Sequence, residues 1–510
     1  MKKNIYLELV FLFFLGALSS LSLPPFNFFL INFVTFSLLF YFIFKKIDVN
    51  KIHFFSYGWS FGFGYFLTNL YWISISLTFD ENFKALIPFA IILVPAFLAL
   101  FYATAFYFYA LLKIKKIVSS FFLFALGIGL LEFIRGHIFT GFPWNLIAFS
   151  FSNQTEFINI ISIIGSYGFN LICISLFMTP ALFLLKTNRF NFVICILFLI
   201  IPISFYLYGY KNFQNFSKVE KVQNNFVIRA IGSNISLDRF YYNVDTLSII
   251  NELIKISEPD PEKKILFLWP EGIIPKISKS EFDSYKPIFQ SHFDDQHLIG
   301  MGLNKQLFDK ENIRFYNSFS IFDNDLNLIS SYDKVNLVPF GEFLPFENFL
   351  KKIGFKTITN NYQSYSKGKE RNIISIKDDK FYFKILPLIC YEIIYSGNLF
   401  KENNFDYMIN ISEDGWFGKS IGPKQHFAHS IFRSIESGKY LIRSANNGKA
   451  ALINPLGVIE KQVDFQENGY IDFEELRKIQ PTIFSIYGNK IFGLIILLYI
   501  FLVFSFNRIS

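Results

Sequence analysis

Apolar positions fall into two regimes along this 510-residue chain. From the start to about residue 208, long apolar runs follow one another with few charges inside them: Leu9–Leu23, Pro25–Phe44, Phe54–Leu77, Ala85–Leu112, Ile117–Leu131, Ile158–Leu185 and Phe190–Tyr208. One more covers Ile491–Phe506. About 20 apolar helical residues cross the hydrocarbon core of a bilayer. The pattern therefore predicts about eight transmembrane helices, seven before and one after a stretch of ordinary globular composition. The first run follows Lys2 and Lys3 as a signal peptide would. It lacks a clear small-residue cleavage site, however, and another span follows at once, so it is read as a helix.

Between the membrane segments the period changes. Short strand-like runs occur at Phe226–Ile231, Ile265–Trp269, His297–Gly300, Tyr316–Phe322, Leu328–Tyr332, Phe381–Ile389, Tyr407–Ile411, Tyr440–Ser444 and Ala450–Ile453. Amphipathic stretches near Thr246–Ser257, Ser278–Phe289 and Gln425–Ser437 alternate with them. Such alternation predicts an α/β architecture. Turn residues at Asp323-Asn324-Asp325 and Pro455-Leu456-Gly457 add hairpins, so the sheet is expected to be mixed. The expected layout is a membrane domain over 1–210, a soluble domain over 211–485 and a C-terminal span over 486–510.

The charge pattern adds an orientation. Basic residues gather at Lys2 and Lys3, at Lys45, Lys46 and Lys51, at Lys113, Lys115 and Lys116, at Lys186 and Arg189, and at Arg508. If the helices alternate in direction, all these clusters lie on one side. Positive charge marks the cytoplasmic face. The soluble domain, entered after the seventh helix, is then expected outside. The net charge of +8 is accounted for by topology and by scattered lysines, and does not point to nucleic acid. Three cysteines give neither a disulfide framework nor a metal-ligand spacing.

Chemistry is concentrated in the soluble part. Glu271, Lys334 and Cys390 each follow the end of a separate predicted strand. A carboxylate, an ammonium and a thiol so placed form a plausible nucleophilic site. An ordinary thiol, with a pKa of about 8.5, is only slightly ionised near neutrality and needs a neighbouring base or cation. Glu271 suits the base. Lys334 suits the cation that stabilises an oxyanion together with a backbone N–H near Tyr391. The bland alternatives are a loop acid, a surface lysine and a buried inert cysteine.

Three motifs carry a resemblance. They are Trp269-Pro270-Glu271, Tyr332-Asp333-Lys334 followed by Leu337-Val338-Pro339-Phe340-Gly341-Glu342-Phe343-Leu344-Pro345, and Ile389-Cys390-Tyr391-Glu392. They resemble the catalytic motifs of the carbon–nitrogen hydrolase (nitrilase) superfamily. With seven helices before and one after, the chain is similar to the bacterial apolipoprotein N-acyltransferase branch. Asn410–Gly418, Arg443–Gly448 and the Thr140–Trp144 loop add to the likeness.

The resemblance implies a polytopic α-helical membrane bundle joined to a nitrilase-like α-β-β-α sandwich in the periplasm, anchored in the bacterial inner membrane. It implies Glu271 as base, Lys334 as cation and Cys390 as nucleophile, with Glu342, Tyr391 and Glu392 in support. It implies phospholipid-dependent N-acylation of the N-terminal diacylglyceryl cysteine of apolipoproteins, by ping-pong transfer through a cysteine thioester, as the last step of lipoprotein maturation. The partners would be a glycerophospholipid acyl donor, the apolipoprotein acceptor and membrane lipids, with no cofactor and no metal.

Other positions keep two readings. Glu342 and Glu392 suit either proton transfer and bracing or structural ion pairs. Trp416 and Phe417, in a glycine-rich loop, suit either a cover over an acyl chain or core packing. Asn446 and Asn447 line the site or form a turn. Trp144 belongs to a wall of a lipid access route or to an anchored interfacial loop, where tryptophan is enriched. His426 and His429 are expected to be polar helix residues rather than metal ligands. Two rival functions remain: a membrane-anchored amidase that hydrolyses its acyl-enzyme, and a non-catalytic transporter or lipoprotein-binding scaffold.

Overall fold

The computed structural model describes residues 2–185, 189–242, 244–274, 279–309, 312–352, 357 and 364–509. Lys186 and Ser278, which entered the sequence reading, lie outside them. The chain divides into two compact units. The first holds Met1–Ile75, Lys84–Asn215 and Thr482–Ser510; the second holds Ser76–Phe83 and Phe216–Pro481.

The first unit is helical. Its long helices are Lys2–Ser19, Leu30–Lys45, Lys51–Leu70, Ile87–Leu112, Ile117–Arg135, Ile161–Met178, Arg189–Lys218 and Lys490–Ile509, one for each expected span. Among the described residues, six helical segments are long and apolar enough to cross a membrane, and Leu30–Lys45 is a shorter apolar helix. The protein is therefore a membrane protein. The third helix stops at Leu70 rather than Leu77 and tightens into a 3-10 coil over Tyr71–Thr78. There Ser74 turns its hydroxyl onto the Tyr71 carbonyl at 2.7 Å, a local bond that competes with the regular helix ladder. The seventh helix continues past Tyr208 to Lys218. Lys46 pairs with Glu8 at 2.6 Å and Lys115 with Asp48 at 2.7 Å. Two of the basic clusters thus lie at the same end of the bundle as the start of the first helix.

The second unit is built on a twelve-stranded mixed sheet. Its strands are β1 (Val222–Ser233), β2 (Ile265–Leu268), β3 (His297–Asp309), β4 (Asn312–Phe322), β5 (Leu328–Asp333), β6 (Ile374–Lys377), β7 (Tyr382–Ile389), β8 (Tyr407–Glu413), β9 (Tyr440–Asn446), β10 (Ala450–Ile453), β11 (Ile459–Val463) and β12 (Gly469–Leu476). The order is β5-β4-β3-β2-β1-β9-β8-β7-β6. Strands β1, β2 and β3 run parallel, as do β7, β8 and β9, whereas β4, β5 and β6 add antiparallel edges. The two halves meet at β1 and β9, where Gly232 pairs with Ala445 and Ser233 with Asn446. The buried Ser444 hydroxyl bonds to the carbonyls of both Ile231 and Leu268 at 2.8 Å. Strand β4 approaches β7 and β5 approaches β6, so the sheet folds back into a sandwich.

Helices cover the outer faces. Asp245 caps Thr246–Ser257 by accepting the Leu247 N–H at 3.1 Å, satisfying a donor that has no partner within the helix. Ile249, Ile250, Leu253 and Ile254 recur at helical spacing and are buried beside β1, the side of the helix that leaves water. On the other half, Gly422–Ser437 begins with Pro423 and ends on Gly438 in the left-handed region, the usual asymmetry of helix ends. The amphipathic stretch at 278–289 is two short helices, Lys279–Ser284 and Lys286–His292, broken at Tyr285, with Pro287 in the first turn of the second, where its missing N–H has no helical partner to lose.

Candidate active site

Three strand ends deliver the chemical groups. β2 ends at Leu268 and passes through Trp269 and Pro270 to Glu271. Trp269 is fully buried and donates its indole N–H to Ser257 at 2.9 Å, which fixes the turn. A β-carbon on Gly302 of β3 would lie 2.5 Å from the Glu271 Cα, so only glycine lets β3 pass beneath that residue. Lys334 follows β5 and donates its backbone N–H to the Asn317 carbonyl at 2.8 Å. Behind it, the Gly368 N–H donates to the Lys334 carbonyl at 2.8 Å, and a β-carbon there would lie 2.1 Å from the Asp333 oxygen.

Cys390 is the first residue after β7 and has φ 47°. This left-handed conformation costs a non-glycine residue about 1–2 kcal/mol. Strain of this kind at a strand-to-helix turn is a recurrent way of presenting a nucleophile. The side chain is 7 % exposed.

Lys334, Glu271, Glu342 and Asn317 form one buried cluster. The ammonium lies 3.0 Å from Oε1 of both Glu271 and Glu342. Asn317 Nδ2 donates to the same two oxygens at 2.7 and 2.8 Å. The other oxygen of Glu271 accepts the Glu413 backbone N–H at 3.0 Å, and that of Glu342 accepts the Val338 N–H at 2.8 Å. Every carboxylate oxygen therefore has a donor, and removing a partner would leave a buried acceptor unpaired.

The electrostatics follow. Burial works against the charged form of Lys334, but Glu271 and Glu342 outweigh it and hold the ammonium well above its usual pKa. Burial pushes the Glu342 carboxyl up, Lys334 opposes the shift and Glu271 adds to it. Cys390 is raised well above an ordinary thiol, first by burial and then by the Glu271 charge, with Lys334 pulling the other way. The resting sulfur is thus a protonated thiol within the field of a base and a cation.

Glu392 ties the Cys390 turn to the lysine loop. Its fully buried carboxylate accepts the backbone N–H of Ile389 at 2.9 Å, of Val335 at 2.9 Å and of Asn336 at 3.1 Å. The Tyr332 hydroxyl and the Arg371 guanidinium also donate to it, at 2.7 and 2.9 Å. Burial would raise its pKa, but Arg371 and these donors hold it below the usual value. Tyr391 packs its ring edge-on against Tyr395.

The remaining sequence candidates divide. Asn446 bonds Ser233, Ile235 and Glu413, and Asn447 bonds Ile235 and Glu413. Both stand behind Glu413, the residue whose N–H meets Glu271. The Glu413 carboxylate pairs with buried Arg239. Trp416 is half-buried among Phe79, Phe240 and Tyr241, and Phe417 packs on His426. His426 is fully buried, with Nδ1 2.9 Å from Asp414 and Nε2 3.3 Å from the Cys390 carbonyl. Asp414 also meets Arg443 at 2.8 Å. His429 is buried one turn further along.

Trp144 lies in the first unit, 2 % exposed, with its ring against Trp72 and Phe142. Among the described residues, no group of three or more His, Cys, Asp and Glu side chains could hold a metal ion. Asn317, Arg371, Arg239 and the Asp414–Arg443 pair did not stand out as site residues in the sequence. Each sits in a strand, a loop or a single helical turn whose pattern says nothing of its partner.

Comparison with known proteins gives the lineage. Residues 15–178 match the family model for the apolipoprotein N-acyltransferase N-terminal domain, and residues 267–477 match that for carbon-nitrogen hydrolases. The apolipoprotein N-acyltransferase of Brucella melitensis is 31% identical over 477 residues, covering 90% of this chain and 88% of the relative. Those of Rhizobium rhizogenes and Rhodopseudomonas palustris are each 32% identical, covering 90% and 93% of this chain and 88% and 90% of the relatives. A buried Lys334 bonded to two glutamates near a strained cysteine, joined to an apolar helical bundle and matched along nine-tenths of its length, places the chain in the apolipoprotein N-acyltransferase family.

Proposed function

We propose that this membrane acyltransferase moves a fatty acyl group from a glycerophospholipid to the α-amine of an S-diacylglyceryl cysteine at the start of an apolipoprotein. Glu271 takes the proton from the Cys390 thiol as the sulfur attacks the acyl ester carbonyl. The oxyanion forms beside Lys334 and a main-chain N–H of the Cys390 turn. As the ester C–O bond breaks, Glu271 returns the proton to the departing glycerol oxygen, leaving a lysophospholipid and a Cys390 thioester. In the second half, the lipoprotein amine loses a proton to Glu271 and attacks the thioester. The C–S bond breaks, the sulfur recovers the proton, and an amide is released.

The observation that carries this reading is the Lys334 ammonium held 3.0 Å from both Glu271 and Glu342, inside the field that sets the Cys390 charge. General-base transfer contributes about 10²–10⁴-fold, and one well-placed oxyanion donor about 10²–10³-fold. Glu342 keeps the lysine in place, and Glu392 keeps the two loops in register. Trp416 and Phe417 cover the thioester against water, the competing nucleophile. Trp144 contributes to a lipid access route in the bundle.

The catalytic unit faces the periplasm, with domain limits near 210 and 486. Support comes from the one-sided basic clusters and from the gathering of two of them at one end of the bundle. The segment Ser76–Phe83, between the third and fourth helices, also belongs to the catalytic unit.

The test is direct. Purified protein is incubated with a phospholipid carrying an isotopically labelled acyl chain, and the Cys390 peptide is read by mass spectrometry. A labelled thioester is expected, discharged as an amide when a diacylated lipopeptide is added and missing in Cys390→Ser. Equal labelling of Cys390→Ser overturns the nucleophile. Predominant release of free fatty acid in the presence of the lipopeptide favours the amidase.

A further inference from the structure

Arg371 lies in the stretch that leads into β6, outside every motif that carries the family resemblance. Its side chain is 9 % exposed. Nη2 donates to Glu392 Oε1 at 2.9 Å and to Asn336 Oδ1 at 2.6 Å, Nη1 reaches the Asn398 carbonyl at 3.2 Å, and Nε lies 3.4 Å from the Tyr332 hydroxyl. One planar fork therefore touches the loop after Lys334, the strand end before it and the carboxylate of the nucleophile turn. A guanidinium suits this arrangement because it presents several donors in fixed directions and never gives up its charge.

The carboxylate it meets has an unusual task. Glu392 Oε1 collects the Val335 and Asn336 N–H groups and the Tyr332 hydroxyl, while Oε2 holds the Ile389 N–H at the foot of the cysteine. This clasp works only if both oxygens accept, that is, only if Glu392 is ionised. A protonated carboxyl would turn its O–H toward three main-chain N–H groups and a guanidinium, none of which can accept it, with the Tyr332 hydroxyl as the one group of the clasp able to do so. Burial strongly favours the neutral form, and Arg371 is the ionised partner bonded directly to it. Tyr332 and Tyr395 also face Glu392, Cys390 and Tyr391 share its turn with the thiol held protonated, and Lys334 lies beyond them engaged by Glu271 and Glu342.

We infer that Arg371 is a positioning residue: it keeps Glu392 ionised and so holds Lys334 and Cys390 in working register across the acid part of the activity range. It touches neither sulfur nor substrate. Where turnover is the readout, this role rests on the acyl-transfer reading; where thiol reactivity is the readout, it does not.

The test compares wild type with Arg371→Met, which keeps the apolar stem and loses the charge, and with Arg371→Lys, which keeps a cation. Two quantities are followed from pH 5.5 to 8.5 in detergent-solubilised full-length protein. One is phospholipid-to-lipopeptide acyl transfer. The other is modification of Cys390 by a dipyridyl disulfide, read on the Cys390 peptide. In Arg371→Met the Glu392 pKa rises, so the acid limb of turnover moves up by about one pH unit or more. The variant then loses about tenfold at pH 6 and stays within about threefold of wild type at pH 8.5, with the ratio of thiol reactivities falling in parallel. Arg371→Lys keeps the limb near its wild-type position.

A merely structural arginine would lower both quantities by one factor at every pH. That result overturns the inference, as does a Met profile that superimposes on wild type or a Lys profile shifted as far as the Met one. If wild type modifies normally yet transfers no acyl group, the acyl-transfer reading fails and the thiol profile alone decides the role of Arg371.

Discussion

Glu271 and Glu342 turn the same atom, Oε1, toward a single Lys334 ammonium, each at 3.0 Å. One cation between two buried carboxylates leaves the group short of positive charge: burial raises the Glu342 carboxyl and Glu271 adds to the rise, against the pull of Lys334. The pair is not redundant. The second oxygen of each accepts a main-chain N–H, from Glu413 and from Val338, but it is the Glu271 charge that acts on Cys390.

Removing the cation should cost stability as well as rate. Lys334→Met leaves two carboxylates buried without a counter-charge, a loss of about 3–5 kcal/mol. The Glu342 carboxyl, already raised by burial, then loses the Lys334 charge that opposed the shift and has a folded-state pKa further above its unfolded value. The variant should be most stable in acid and lose stability as the pH rises through that folded value. Denaturant unfolding at pH 5 and pH 8 checks the sign, and turnover should fall by about 10²–10³-fold.

Glu271→Gln should separate thiol reactivity from catalysis. The Glu271 charge raises the Cys390 pKa while Lys334 lowers it. Without the carboxylate the thiol titrates lower, so iodoacetamide should alkylate Cys390 faster than in wild type at pH 7.5. Acyl transfer should nevertheless fall by about 10²–10⁴-fold, because the proposed base is gone. Slower alkylation in the variant would contradict the charge assignment.

Asn317 carries two hydrogen bonds to charged acceptors, each worth about 1.5–3 kcal/mol. Asn317→Leu, similar in size, should free both carboxylates to rotate about the lysine. A drop in kcat of about tenfold or more with little change in KM is expected from steady-state kinetics, together with a lower Tm. A rise in KM with kcat unchanged would place Asn317 in substrate binding instead.

The backbone at Cys390 makes a prediction of its own. With φ 47°, glycine fits this turn better than alanine. Cys390→Gly and Cys390→Ala should both be inactive, yet the glycine variant should be more stable by about 1 kcal/mol. Chemical denaturation of the two side by side tests whether the strain belongs to the turn rather than to the sulfur.

Much of this was legible in the sequence, and the reason is local. The eight apolar stretches declare helices by length, and Glu271, Lys334 and Cys390 each follow a short apolar run that ends where a strand ends. Thr246–Ser257 and Ala450–Ile453 have the limits their periodicity predicts. The sequence is silent where burial is one-sided or the partner is remote. Strand β6 alternates buried and exposed positions over only four residues, and β11 is mostly charged or polar outward. Strand β12 reads as an acidic stretch, yet it pairs with β1 in the middle of the sheet. Asn317 and Arg371 announce nothing until folding sets carboxylates from other segments beside them.

The pairing of β1 with β9 sets a timetable for the chemistry. Glu271 and Lys334 come from one half-sheet and Cys390 from the other, and the halves join at β1 and β9 after the residues of β9 are in place. On the proposed mechanism, a chain whose two half-sheets have not yet joined carries a dormant sulfur, because the thiol then stands apart from its base and its cation.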